Sequence, residues 1–355
     1  MSPITTTRSW RHVLSLILLA SLLGTSCQKD ADLKQETTPA TTSESEIIPA
    51  ETAGKLASLA AITTGTTISA YTSSAPISLY GAHDMTINGK LITGGKVPCI
   101  NLINCYNIHV VNCKLTNSTG VGIYLFGCTN VVIDNNYISN VSCGVYATSC
   151  QQIQVNACQM LNMKGPMPRG QFIQFNKVTG ARNRINNNRL ENVLGQSNPE
   201  DAINLYQSSG TAADPIAIIG NWIRGGGPSS SGGGINLGEK GGSYQLAAYN
   251  VLVNPGQYGI GISGGNSIQM RNNLVYSKSQ PFSNVGVLYW NQSGISSANI
   301  TVSGNLVNFI SGKLGGIQNS SFVGPGNPTP SGWSTNKWGS PISASILPAL
   351  LITSK

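Results

Sequence analysis

The sequence predicts an all-β fold, a single-stranded parallel β-helix of about nine stacked coils, on three observations. The first is composition. Of 355 residues only 10% are charged and 41 are Gly, a balance that suits many short strands joined by tight turns. The second is self-similarity at a short period. Ile100-Asn101-Leu102, then Cys105 and Ile108-His109-Val110, recurs 23 residues later as Ile123-Tyr124-Leu125, Cys128 and Val131-Val132-Ile133. It recurs after a further 22 as Val145-Tyr146-Ala147, Cys150 and Ile153-Gln154-Val155. The third is period-two alternation of apolar residues inside each run, the signature of a strand with one buried face.

Taken in order, the first inward position of each coil is Ile77, Ile100, Ile123, Val145, Ile173, Ile203, Ile235, Ile260 and Val287, with Ile317 opening a further partial turn. No coil can bury its apolar residues alone, so each must lie on its neighbour. At about 4.8 Å per coil the stack would be a rod on the order of 40 Å long. Two side-chain columns fit this frame. Cys105, Cys128 and Cys150 share one slot. Asn136, Asn188, Asn221, Asn250 and Asn272 share another, with Cys113 and Cys158 as substitutes. Stacked Asn can satisfy the backbone of adjacent coils. The Cys column has neither His nor Asp in ligand spacing, so it reads as packing. Residues 56–72 and the apolar tail Ile342–Ile352 are the expected caps on the open ends. The repeat resembles the right-handed family with pectate-lyase-like repeats, over roughly residues 75–320.

Ahead of the repeat lies a processing segment, residues 1–26. Arg8 and Arg11 precede an apolar run, Val13 to Leu23, and Leu23-Gly24-Thr25-Ser26-Cys27 resembles the lipobox of bacterial lipoproteins. The resemblance implies lipidation of Cys27 and a lipid anchor in the bacterial outer membrane, on its periplasmic or outer face. Gln28-Lys29-Asp30 and Asp32 resemble the acidic context of surface-exported lipoproteins. Residues 27–60, rich in Thr, Ser, Glu and Ala, read as a disordered tether, and 61–355 as the folded domain. The tether carries a net charge of −3 and the domain +9, which favours an anionic partner. Seven cysteines besides Cys27 do not form a disulfide framework.

Coil lengths point to a site. The steps between first inward positions run 23, 23, 22, 28, 30, 32, 25 and 27. The additional residues fall at 163–170, 195–200, 208–215 and 225–233, and insertions in repeat proteins usually mark the binding face. Alternation turns Asn204 and Tyr206 outward, and by the same rule Tyr124, Phe126, Tyr146, Gln174, Asn176, Asn236 and Trp290. Such aromatic and amide side chains suit sugars, rings covering apolar sugar faces and amides bonding hydroxyls. Of seven acids in the folded region, five lie between 191 and 239. Asp201 is the first candidate for a functional carboxylate, then Glu239, with Glu200, Lys240 and Lys177 beside them and Arg169 as a substrate contact. Calcium is allowed through Asp201, Glu200 and backbone carbonyls, although no spacing demands it, and no other cofactor is implied.

The active-site strings of known β-helix enzymes are absent. There is no Gly-His-Gly as in polygalacturonases, no Asp-Pro-His-Asp as in alginate epimerases, and no Trp-Ile-Asp-His or Arg-x-Pro-x-x-Arg as in pectate lyases. Glu200-Asp201 is a distant echo of the polygalacturonase Asp-Asp pair. The resemblance therefore carries fold and leaves function to the site. Three readings stand: a lyase on an anionic, uronate-containing polysaccharide, a non-catalytic surface glycan-binding or adhesive protein, and a glycoside hydrolase with an unfamiliar carboxylate pair. The Gly-rich run at 225–234 lacks the Lys-Ser/Thr of a phosphate loop, and nothing points to nucleic acid.

Overall fold

The computed structural model describes residues 48–62, 70–166, 170–292 and 294–353. The signal segment, Cys27 and Arg169 lie outside them. From Thr72 onward the chain winds through three parallel strands per coil. The first face runs from Ile77–Tyr80 through Ile100–Ile103, Ile123–Phe126 and Val145–Thr148 to Val285–Tyr289 and Ser321–Val323. Successive first-face strands pair in parallel, with Ile77, Ile100, Ile123, Val145, Ile173, Ile203, Ile235, Ile260 and Val287 as consecutive partners. From Ile100 onward every member of this column is fully buried. The inward frame read from the sequence therefore holds in every coil it covered.

A tenth first-face strand among the described residues begins at Ser321, opposite Val287, rather than at Ile317. Ile317 instead bridges Ser311 in an antiparallel pair and is exposed. The apolar-after-Gly pattern that suggested it also describes a hairpin turn.

The turn from second to third face is fixed by a ladder of buried amides. The backbone N–H of Cys113 donates to Asn136 Oδ1, that of Cys158 to Asn188, and onward through Asn221, Asn250, Asn273, Asn305 and Asn336, at 2.8–3.1 Å. Asn273, fully buried, is the rung, not Asn272. Every rung but Asn336 follows a residue in the left-handed region, Asn135, Asn187 and Asn272 among them, and Asn tolerates that conformation as readily as it makes the rung. Composition alone could not choose between two adjacent Asn. The Cys105, Cys128 and Cys150 column is buried, with Cys128 N–H reaching Cys150 Sγ at 3.3 Å. Among the described residues no three His, Cys, Asp or Glu side chains are grouped to hold a metal ion.

Two segments depart from expectation. Ala50–Ile62 is an α-helix, where residues up to 60 read as a disordered tether. Five of its thirteen residues are Ala, which favours a helix strongly while leaving little apolar periodicity to read. Leu56 packs with Ile48 into a second apolar cluster. The C-terminal tail does not close an end. Ile342, Leu347, Leu351 and Ile352 bury themselves against Tyr137, Val251, Val253, Leu274 and Leu306 on the outside of the third face. Asn308 donates to Ile342 O, Arg224 to Ala349 O, and Thr353 N–H to Gln159 Oε1, so the tail runs back across many coils. These outward positions are apolar in the middle of the chain, and an exposed apolar strip is covered by whichever apolar segment is free.

Candidate active site

Three of the four insertions leave the third face and enter the first at the same corner, where their described residues stack into a wall. Asn198 N–H bonds Met163 O at 2.8 Å and Gln257 N–H bonds Gly232 O at 3.1 Å. A Cβ on Gly232 would lie 2.6 Å from the backbone of Glu200, so glycine permits this layer. Glu200 fastens it further, accepting from Ser229 Oγ and Ser231 Oγ at 2.7 Å each. The fourth insertion, at 208–215, sits at the opposite corner, between first and second faces.

Beside the wall, the outward surface of the first face forms a cleft of about 450 Å³. One column of it reads Tyr146, Gln174, Asn204, Asn236, and the next reads Asn176, Tyr206, Glu239. Strict alternation would put Gly238 in that last place and turn Glu239 inward. A bulge between Asn236 and Glu239 corrects the frame, so that Glu239 pairs with Tyr206. Gly238 makes the bulge at φ 65°, where a Cβ would lie 2.0 Å from Gly264 O.

The polar groups of the cleft are linked. Asn204 Nδ2 donates to Asp201 Oδ2 at 2.7 Å and to Glu239 Oε2 at 2.6 Å, while Asn204 Oδ1 accepts from Gln174 Nε2 at 2.9 Å. Asp201 and Glu239 thus present oxygens within two hydrogen-bond lengths of each other. Asn176 Nδ2 donates to Tyr146 Oη at 2.9 Å. Asp201 is 4% exposed, and burial pushes its carboxyl up to about 7. Its Oδ1 accepts from Gly233 N–H at 3.0 Å and from the Tyr258 hydroxyl. Burial and the neighbouring Asp201 hold the Tyr258 phenol well above its ordinary range, so it stays a donor.

Tyr258 was not foreseen, and the reason is geometric. Asp201, Gly233 and Tyr258 occupy the same position in three successive coils. Gly233 has no side chain, and its missing Cβ would stand 2.7 Å from the Tyr258 ring. The phenol lies across that gap to reach Asp201 two coils away. Asp-x-x-Asn in one coil, Gly in the next and Tyr in the third is a signal only once the coils are in register.

Residues 50–167 match the model of a family described as right handed beta helix region. The fold is a right-handed parallel β-helix. Among solved structures, the catalytic unit of a thermostable GH87 alpha-1,3-glucanase from Streptomyces thermodiastaticus strain HF3-3 is similar at 13% identity and a TM-score of 0.33. The match covers 74% of this chain and 51% of that one, so the chain spans about half the neighbour's length. No curated protein matches the sequence.

On this right-handed β-helix the structure brings together Asp201, Glu239, Glu200, Asn204, Tyr206, Gln174, Asn176 and Tyr146, with Gln171 and Ser231 added. Tyr124 extends the row, its ring 5.6 Å from that of Tyr146. Asn236 stands in the same column, accepting from Ser263 Oγ at 2.8 Å. Lys177 and Lys240 do not line the cleft. Each falls one residue past the outward column, with left-handed backbone at φ 56° and 54°, and is exposed. Trp290 lies in a separate recess several coils further on. Arg182 and Arg184 meet Asp214 on the second face, away from the cleft. No Lys or Arg is among the described residues that line the cleft, and three carboxylates are.

Proposed function

We propose that the chain hydrolyses glycosidic bonds in a neutral polysaccharide, with Asp201 as general acid and Glu239 as the second carboxylate. The observation that carries this reading is one amide, Asn204, bridging a buried carboxyl that protonates near neutrality to a half-buried carboxylate in an open cleft. Paired carboxyl groups whose environments push them apart are the usual acid and base of glycoside hydrolysis. Oδ1 of Asp201 is filled by two donors. That leaves Oδ2 to carry the proton and deliver it to the leaving oxygen. Glu239 attacks the anomeric carbon as the bond to that oxygen breaks, and a water that gives its proton to Asp201 then displaces Glu239, releasing the sugar and restoring both groups. The short separation of the two carboxyls fits the retaining arrangement, about 5–5.5 Å, rather than the wider inverting one.

Elimination from a uronate is less well supported. It needs a cation or Arg to neutralise the substrate carboxyl, and the carboxylates of Glu200 and Glu239 along the cleft would repel that carboxyl. The net positive charge of the domain therefore does not mark its substrate. The lipid anchor expected at Cys27 would place the activity at the bacterial outer membrane.

Reducing-end release from a panel of glucans, mannans, xylans and uronate-containing glycans tests the reading. Cleavage of a neutral glycan should fall about 10²–10⁴-fold in Asp201→Asn and in Glu239→Gln, and the first product should keep the anomeric configuration of the substrate. Unsaturated products would establish the lyase instead, and binding without turnover a glycan-binding protein.

A further inference from the structure

The column that reads Gln174 and Asn204 within the cleft continues beyond it as Asn236, Gly261, Leu288 and Phe322. Leu288 and Phe322 line a second recess, of about 360 Å³. Trp290 stands over it, 37% exposed, its ring edge-on to Phe322 with centroids 5.8 Å apart. Asn284, Asn319 and Gln257 supply amides around it. The side-chain oxygen of Gln257 is buried with no hydrogen-bond partner among the described residues, and such an acceptor calls for a donor. None of the described residues lining the recess is charged. An exposed indole with neutral amides is the chemistry that seats an uncharged sugar ring, apolar face on the aromatic and hydroxyls on the amides.

One residue, Tyr258, stands between the two recesses. Tyr258 lines the second and binds Asp201 in the first. Between them the column holds Gly261, a buried glycine covered by the Tyr258 ring, which would lie 3.2 Å from a Cβ placed there. Asn204 and Leu288 are three coils apart, roughly 14 Å at about 4.8 Å per coil. A chain of several sugars can reach from one to the other, and a short oligosaccharide bound at the carboxylates cannot.

We propose that this recess is a distal subsite, seating one neutral sugar unit against Trp290, and that the polysaccharide passes over the Tyr258 ring that covers Gly261 to reach it from the cleft. This rests on the reading of the cleft as a glycan site. It goes further in assigning chain-length preference, and the direction in which the chain extends, to a place remote from the reacting bond.

The test uses the full chain, with the same panel of neutral glucans, mannans and xylans and their trisaccharides as probes. Binding is measured by calorimetry in Asp201→Asn, with and without Trp290→Ala, and hydrolysis in the parent and in Trp290→Ala alone. Loss of the indole should weaken polysaccharide binding about tenfold, a change of about 1.4 kcal/mol. The ratio of polysaccharide to trisaccharide affinity should fall with it, and Trp290→Phe should restore part of the loss. In hydrolysis the same variant should raise KM for the polymer more than it lowers kcat. Trp290-dependent binding without turnover would uphold the subsite and remove the hydrolase reading. Turnover with equal polymer KM in parent and Trp290→Ala would overturn the subsite and leave the hydrolase. Failure of every neutral polymer to bind would overturn the subsite, since it would have no occupant.

Discussion

At the scale of single residues, the protonation of Asp201 is set by opposing influences that can be altered one at a time. Burial raises it, and the hydrogen bonds from Tyr258 and Asn204 lower it. Removing a donor from a carboxylate disfavours the charged form. Tyr258→Phe should therefore raise the Asp201 pKa above about 7 and move the alkaline limb of activity to higher pH, measurable as a shift in the pH profile of kcat. A limb that stays in place or moves down would separate Asp201 from the titrating acid. Gly233→Ala should reach the same residue by another route. Its Cβ would overlap the Tyr258 ring and backbone, so the phenol would be displaced and both activity and Tm should fall. Asp201, Glu239, Glu200, Asn204 and Tyr206 were legible in the sequence because acids and insertions crowd into the same coils. Tyr258 was not, because its role depends on an empty position in the coil between.

Elements show where reading by periodicity succeeds and where it slips. The inward column was legible from Ile77 to Val287 because a one-residue slip would turn every buried side chain to solvent. Glu239 was chosen for its neighbourhood, yet alternation by itself would have turned it inward, and a bulge at Gly238 is what delivers it to the cleft. Gly238→Ala should destabilise the fold and also abolish hydrolysis, because the left-handed backbone and the contact with Gly264 O both oppose a side chain. The amide ladder offers a sharper comparison. Asn273→Ala removes a fully buried rung, leaving the N–H of Asn250 and the carbonyl of Ala247 without their bonds. A cost of about 2–3 kcal/mol is expected. Asn272→Gly, one residue earlier at φ 55°, should cost only a few tenths. Chemical denaturation of the two variants would distinguish them, and equal losses would refute the assignment of the rung.

The whole molecule is held by more than neighbour-on-neighbour stacking. The segment Ile342–Ile352 covers outward residues on coils from Tyr137 to Leu306, and its hydrogen bonds, with that of the adjoining Thr353, reach from Asn308 through Arg224 to Gln159. Its destination was not legible, because apolar tails look alike whether they cover an end or a flank. A chain ending at Ser340 should leave the third face bare. Its Tm should drop by several degrees and light scattering should rise on heating, whereas the carboxylate cleft, on the first face, should keep its activity at temperatures where the fold persists. A bare stack of coils melts as a row of dominoes, each unit free to leave once the one beyond it has gone. Threading the chain's own end back along the side couples early coils to late ones, so that fraying at one terminus is resisted at the other. Intact protein should therefore unfold in one sharp step, and the shortened chain in a broad or staggered one.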